Sequence, residues 1–591
     1  MFALYVYNEC PREGRFLKRT IVFLLFSVAA AALPVIAQPT ISPGGVTNIA
    51  SLAPDGLRNS GIAAGSIFVV NGTGLGAPNP TPINLFQNAT YPLPTGAGLN
   101  GTTVQLLAAP GQALVGGHSL VPCIVLYESP TMVAAIVPSS TQPLAYTVSV
   151  TYNGQTSAQS GTVHVVPTAF GQFTYGQAFG SPGTGNGPGP IQQQNSSGSF
   201  VVNLFDAPAV AGQTILLYGT GLGAVNGDES QGPTNGAVVG LNALNFTVYI
   251  GGKIATFEVG QDYIGRFISN GQAYAGVDII EVQIPQGVQG CYVPVAVVVG
   301  GVTSNITTMA IDPSGTFCND PMIGYSQADL QQVVTDQAAR FGTVSVSNLS
   351  LLEPNGSIGR SDAISASFVN MTPTQFHSSP GAGPSAGGCT VILVGPNSQP
   401  QVLGTPIDAG SAISLSGPDG SQQIAQAAGQ LTYTNLTSST SPMVDPGGFS
   451  IGNGGGGADV GAFQGSFTVP AAPQGIQGGG STIPTNSNLV LAWSSADPNS
   501  LVEVLGLSAD ANTGLAAAFQ CTAPASANVI QIPSYVLSWL PTTNSSVGLL
   551  SVLTIGLGRF QAPGLEAGYF SYTVGDGAAV QYTAGATNVK E

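Results

Sequence analysis

The chain has 591 residues, and only 6% of them are charged, against about 25% in an ordinary soluble domain. Its net charge is −16, and it carries 81 glycines and 43 prolines alongside a 43% apolar fraction. This excludes a coiled coil or helical bundle, which needs charged flanks around its apolar seams. It also excludes a nucleic-acid binder, which needs cations for phosphates, and charge-driven disorder, which needs a low apolar content.

Taken in chain order, the first element is a leader. Arg12, Arg15, Lys18 and Arg19 precede an apolar run from Ile21 to Ala37. Val35 and Ala37 suit the −3 and −1 positions of a signal-peptidase site, which predicts cleavage before Gln38. The run is short and interrupted by Pro34, whereas a spanning helix needs about 20 apolar residues. Residues 1–37 therefore read as a signal peptide, and no membrane span is expected beyond them. Cleavage would remove four of the eleven bases and two of the 27 acids, leaving 7 against 25.

Next comes a repeat. AGSIFVVNGTGLGA (Ala64–Ala77) and AGQTILLYGTGLGA (Ala211–Ala224) are offset by 147 residues. Pro138 and Pro285, Gly154 and Gly301, and Ser157 and Ser304 keep that offset, so one domain is present twice. Short β-rich runs separated by Gly/Asn/Pro turns predict immunoglobulin-type sandwiches. TVSVTYNGQTS is expected to turn at Asn153-Gly154, a favoured hairpin pair. GTGLG does not fit the dinucleotide fingerprint, because its spacing is GxGxG and proline-rich sequence follows the first copy. Its glycines are expected to allow close chain approach at a strand exit. Residues 178–198 read as a linker or as the long loop opening the second copy.

Together GGVTNIAS (Gly44–Ser51), the AG…GTGLG element, and the IVP and NG-TS strands resemble the Solibacter-type uncharacterised C-terminal domain. That is a secreted bacterial Ig-like module related in style to IPT/TIG domains. The second copy resembles it through PAVAGQTILLYGTGLG, GCYVPVAVVVGGVTSN and FCND. The resemblance covers about residues 38–312 and implies an exported sandwich pair; it implies no activity. The first copy departs from the pattern with the insertion PGQALVGGHSLVPC. The expected organisation is a signal peptide (1–37), two modules (38–168 and 169–312) and a β-rich region of unknown function (313–591).

In that last region, Ser326–Gly342 predicts a helix capped by Ser326, with Asp329 in its first turn. LVLAWSSADPNSLVEVLG reads as a hairpin turning at Asp497-Pro498-Asn499. Ser534–Leu540, between two prolines, reads as a short helical turn. The order of these segments also resembles C-terminal regions of proteins carrying the same module. The fold class is thus mostly all-β: tandem immunoglobulin-like sandwiches, then a β-rich domain with one or two short helices.

Five cysteines follow the leader: Cys123, Cys291, Cys318, Cys389 and Cys521. An exported chain meets an oxidising compartment, so bridges are expected, and an odd count leaves one over. Proximity suggests Cys291–Cys318; Cys389–Cys521 would then staple the C-terminal region and leave Cys123 alone. No CxxC or Cys/His cluster suggests zinc.

Motifs for chemistry are sparse. GxSxG occurs around Ser385 and Ser450, but no histidine follows either serine, as a hydrolase elbow requires. The three histidines, His118, His164 and His377, have no partner at meaningful spacing. Asp228, Glu229, Glu258, Asp262, Asp278 and Glu281 could in principle supply a glycosidase pair; solvated acids are the simpler reading. Tyr263, Tyr274 and Tyr292 could stack on sugars, although core positions suit them as well. GGGGAD near residue 455 matches one calcium nonapeptide, and such sites need stacked copies. No catalytic, cofactor-binding or metal residue is assigned. With so few ions, salt bridges are expected to contribute little to stability. The reading is a secreted structural, adhesive or protein-interaction molecule, not an enzyme. Its partner is a surface protein or polysaccharide, and the alternative is a carbohydrate-binding or glycan-active protein.

Overall fold

The computed structural model describes residues 38–591 except 80–90, 97, 113–118, 179–184, 196, 242–244, 270–271, 321–323, 353–356, 380–382, 395–403, 544–547 and 586–591. The leader expected at 1–37 lies outside these residues. The protein is all-β, with tandem immunoglobulin-like sandwiches followed by a larger β assembly.

In the first sandwich, strand Ile67–Thr73 lies between Thr40–Asn48 and Met132–Ile136, with Ile124–Glu128 at the edge. The facing sheet centres on Ala145–Tyr152, flanked by Thr102–Ala108 and Val163–Val166. Phe68 and Val70 from one sheet meet Val104, Leu106, Val148 and Val150 from the other. The second sandwich repeats the plan. Thr214–Thr220 pairs with Gln272–Gln283, and the facing sheet centres on Gly290–Val299. Ile215 and Leu217 supply its core with Val295 and Val297. The segment read as a linker or as the long loop opening the second copy is part of this sandwich: Gly187–Pro188 pairs with Thr307–Thr308, and Gln192–Gln194 pairs with Phe200–Val202.

The hairpin at Asn153-Gly154 closes through Tyr152 and Gln155. Its turn residues have φ of 49° and 76°, the mirror-image turn that matches strand twist. GTGLG acts locally. A Cβ on Gly72 would sit 1.9 Å from the Thr40 carbonyl oxygen, and one on Gly219 would sit 2.1 Å from that of Gly171.

The two sandwiches pack through their outer faces. Ile67, Val69 and Ile136 of the first meet Leu216, Tyr218, Val277 and Ile279 of the second in a common buried cluster, with Met132 half-buried at its side. Val69 and Leu216, and Met132 and Ile279, are equivalent positions under the 147-residue offset. Polar contacts cross the same junction. Asn48 donates to the Ala169 carbonyl at 3.0 Å. The Ile67 amide donates to Thr220 Oγ1 at 2.9 Å. Arg266 donates to the Gly65 and Gly223 carbonyls while pairing with buried Asp278.

The C-terminal assembly is built on a ten-stranded sheet. Its centre is Leu501–Asp510, Gly548–Phe560, Ala567–Thr583 and Ala339–Leu352, the last two running parallel. A four-stranded sheet, in the order Gly420–Ala425, Ala412–Gly417, Gly447–Gly452, Gln464–Val469, covers part of it. Phe467 stacks on Phe570 with centroids 4.7 Å apart between them. Another part packs on Trp493, Trp539 and helix Ser534–Leu537.

Two expectations are corrected here. The helix at Ser326 spans Gln327–Asp336 and stops at Gln337, whose φ is 52°; Gly342 lies inside strand Ala339–Leu352. The residues after Gln337 are drawn into the long sheet, pairing with both Met371 and Ala567 neighbours. The predicted Asp497 hairpin also does not form. Leu489–Ala492 pairs with Val529–Ile532, while Leu501–Asp510 pairs with Leu515–Pro524 and Gly548–Phe560. Trp493 donates to the Ala525 carbonyl at 2.8 Å, which directs the first strand to the later partner.

Candidate functional site

Disulfides join Cys291 to Cys318 and Cys389 to Cys521, and Cys123 is free and buried. Burial in the first core pushes the Cys123 thiol far up, so it is held in its unreactive protonated form.

The residues singled out for chemistry are scattered. His118 lies outside the described residues. His164 is exposed, with Nδ1 2.9 Å from Asp55 Oδ1. Ser385 is buried and donates to Asp320 at 2.6 Å while accepting from the Tyr292 amide, so it ties the second sandwich to the C-terminal assembly. Ser450 lies on the open face of strand Gly447–Gly452. Asp278 is held by Arg266 and by the Gly221 and Leu222 amides. Glu229 accepts from the Ser139 backbone and side chain across the sandwich junction. Asp228 accepts from Ser230, Asp262 from the Glu258 amide, and Glu281 from the Tyr263 amide. These acids are engaged in holding the fold. Tyr292 is a core residue, Tyr263 donates to the Arg266 carbonyl, and Tyr274 packs on Phe267.

GGGGAD is a turn network. Asp408 accepts from the Gly410 and Ala458 amides, and Asp459 accepts from the Asp408 amide. Among the described residues, no group of three His, Cys, Asp or Glu could hold a metal ion.

One carboxyl stands apart. Glu503, on the ten-stranded sheet, is pushed up to about 7 by burial, against the opposing hydrogen bond from Gln520 at 2.5 Å. Asp576 is also raised by burial. Its register neighbour is Val552, whereas that of Glu503 is Leu553. Side chains alternate along a strand, so the two acids face opposite sides of the sheet and cannot act on one bond.

One accessible feature is the outer face of the four-stranded sheet. Ile413, Leu415, Ile424, Phe449 and Ile451 point inward to the core. Alternation then turns Ser416, Ser421, Ser450 and Ser466 outward. Register aligns these four in one row: Ser421 opposite Ser416, Ser416 opposite Ser450, and Ser450 opposite Ser466. Ser416 and Ser421 share a hydrogen bond of 2.7 Å. Gln423, Gln464 and Thr468 are also exposed on this sheet. A shallow groove of about 610 Å³ runs over Gly448, between Ser416, Ser450, Ser466 and Thr468. Its lining residues include no ionisable side chain. The sequence signal was the alternation in SLS and GSFT, but register is needed to see that the hydroxyls line up.

A second, enclosed site was not visible in sequence. His377 ends the short helix Pro373–His377. Its ring lies 4.4 Å from that of Phe205, with Tyr175 edge-on at 5.9 Å. Nε2 is 3.9 Å from Asp206 Oδ1, beyond hydrogen-bond reach. Both atoms are buried and neither has a hydrogen-bond partner among the described residues, and Thr308 Oγ1 is in the same condition. His377 and Thr308 line a cavity of about 30 Å³, large enough for one water and too small for a substrate. Burial lowers the imidazole below its ordinary 6.5, with Asp206 opposing.

No family model matches the chain, and no curated protein does. Among solved structures it is similar to domains of titin at 9% identity, covering 63% of this chain and 95% of that one, with a TM-score of 0.10. It is similar to SGBP-B of the Bacteroides ovatus mixed-linkage glucan utilization locus, in complex with a mixed-linkage heptasaccharide. There the identity is 13%, the coverage 82% and 88%, and the TM-score 0.11. It is also similar to the BSP domain of a biofilm associated protein at 10% identity, covering 89% and 94%, with a TM-score of 0.12. Likenesses at these TM-scores carry no functional argument.

Proposed function

We propose that this chain is an exported, multi-domain immunoglobulin-like protein with an adhesive or surface-binding role, working by binding and not by catalysis. The observation that carries this reading is the ion-free hydroxyl face of the four-stranded sheet on a strongly acidic chain. A polar face that excludes carboxylates suits a neutral, hydroxyl-rich partner, because each Ser or Gln exchanges one water hydrogen bond for one to the ligand. Two disulfides support an oxidising compartment. The resemblance of residues 38–312 to the Solibacter-type module, the division at 168 and 312, and cleavage before Gln38 belong to the same reading. Among the described residues no helix is long and apolar enough to cross a membrane.

The spacing of the serine row favours one more specific reading, binding of a neutral polysaccharide. Adjacent strands repeat at about 4.8 Å, comparable with one pyranose unit of an extended chain. Such a chain lying across the strands would meet one hydroxyl per sugar.

The test is binding of the full chain to insoluble neutral polysaccharides, bacterial cells and matrix proteins, with Gly448→Trp as the probe. A Cβ at Gly448 meets nothing within 4 Å, so the variant is expected to fold with an unchanged Tm and a filled groove. Binding weakened at least tenfold is the expected result, equivalent to about 1.4 kcal/mol. Undiminished binding would remove this face from the site, and release of new reducing ends from a polysaccharide would remove the non-catalytic reading.

A further inference from the structure

We propose that His377 and Asp206 form an acid-sensitive latch between the second sandwich and the C-terminal assembly. The pair joins two parts of the chain. His377 sits on the helix that follows strand Ile358–Met371, and Asp206 follows Phe200–Val202 of the second sandwich. Buried polar groups are almost always hydrogen-bonded. Here three buried polar atoms with no protein partner among the described residues (His377 Nε2, Asp206 Oδ1 and Thr308 Oγ1) gather at one junction. The closed arrangement is therefore a poised one, with no protein group among the described residues hydrogen-bonded to Nε2 to hold the ring when its charge changes.

The groups facing the ring are few. Asp206 comes from the loop of the second sandwich, and Tyr175 from helix Tyr175–Ala178. Strand Gly290–Val299 brings Tyr292, and Tyr325 packs on the neighbouring Phe376. Cys291 is locked in its bridge to Cys318. Strand Thr307–Ile311 brings only neutral Thr308 and Met309, and helix Gln327–Asp336 brings Leu330, with its Asp329 turned to Arg559. Burial raises the hydroxyls of Tyr175, Tyr292 and Tyr325 above 10, so they stay neutral at any pH the latch would sense. Asp206 is thus the one carboxylate set against the imidazole among these groups.

A proton on Nε2 places a cation among Phe205, Phe376 and Tyr175 with a carboxylate just out of hydrogen-bond range. Burial opposes that charge more strongly than Asp206 favours it. The folded chain therefore takes up the proton at lower pH than the unfolded chain does. The latch contributes fully above about 6.5, and its contribution is lost as pH falls from there toward the folded value.

The experiment is urea unfolding of the full chain from pH 8 to pH 5, comparing the natural sequence with His377→Phe and Asp206→Asn. Phenylalanine fills the ring site but cannot protonate. Below pH 6.5 the unfolding constant of the natural chain is expected to rise relative to His377→Phe by up to tenfold per pH unit. Parallel curves would overturn the latch. Asp206→Asn is expected to enlarge the total loss at low pH, because it removes the carboxylate that favours the imidazolium; an unchanged loss would overturn the pairing. If His377→Phe does not fold, the ring resonance of His377 in the natural chain decides. Titration below 6.5 agrees with the latch, and titration at or above 6.5 overturns it.

Discussion

Arg266, Arg340, Arg360 and Arg559 are four of the five arginines among the described residues, and each ends on a carboxylate that is itself buried: Asp278, Glu566, Asp362 and Asp329. A low ion count had suggested that such pairs matter little. Their placement changes that expectation. Arg266 sits at the sandwich junction, while Arg340 and Arg559 reach across to residues distant in the chain. A buried pair adds little over a well-packed apolar substitute, yet removing one partner typically costs about 3–5 kcal/mol. Glu503 shows the opposite case, a buried acid with no cation paired to it among the described residues. Its folded value near 7 lies above the ordinary 4.5. Its neutral form is therefore favoured in the fold, and stability is lost as pH rises from about 4.5 to 7. Glu503→Gln keeps the shape without the charge. It should be the more stable protein above pH 7, by on the order of 3 kcal/mol, with the difference vanishing near pH 4.5. Chemical denaturation at both ends of that range measures it.

Elements were legible where their signals are local. The Asn153-Gly154 turn and the Ser326 start each depend on two or three adjacent residues. The helix end was not legible, because competition with a strand that pairs on both sides decides it. The Leu489 hairpin failed for the same reason: a turn at Asp497 does form, with the Ser500 amide donating to the Asp497 carbonyl. What the turn does not determine is which strand each arm pairs with. The Ser326 cap is reciprocal with Asp329. Ser326→Ala should therefore lower stability by about 1 kcal/mol, seen as a reduced urea midpoint with no change in slope.

For the whole molecule, the duplication was plain in the sequence, while the packing of the two copies was not. A signal did exist. IFVV and ILLY are continuous apolar runs where one-sided strands would alternate, and continuous runs mark strands buried on both faces. The hydroxyl face and the His377 pocket had no comparable signal, since register and distant contacts create them. Because the sandwich junction is buried and crossed by Arg266, the two sandwiches should unfold as one unit. Calorimetry of the full chain should show no separate transition for residues 38–168; a resolved one would contradict the packing.

Val69 and Leu216 stand at matching places in the two copies and meet in the same cluster, as do Met132 and Ile279. Symmetric dimers are built this way, each subunit offering its partner the same patch. The duplication in this respect resembles such a pairing, because equivalent strands of the two copies share one buried cluster. The patch that a third copy would need on either sandwich is already occupied. A further copy could not use that patch, and the C-terminal assembly is joined at other faces.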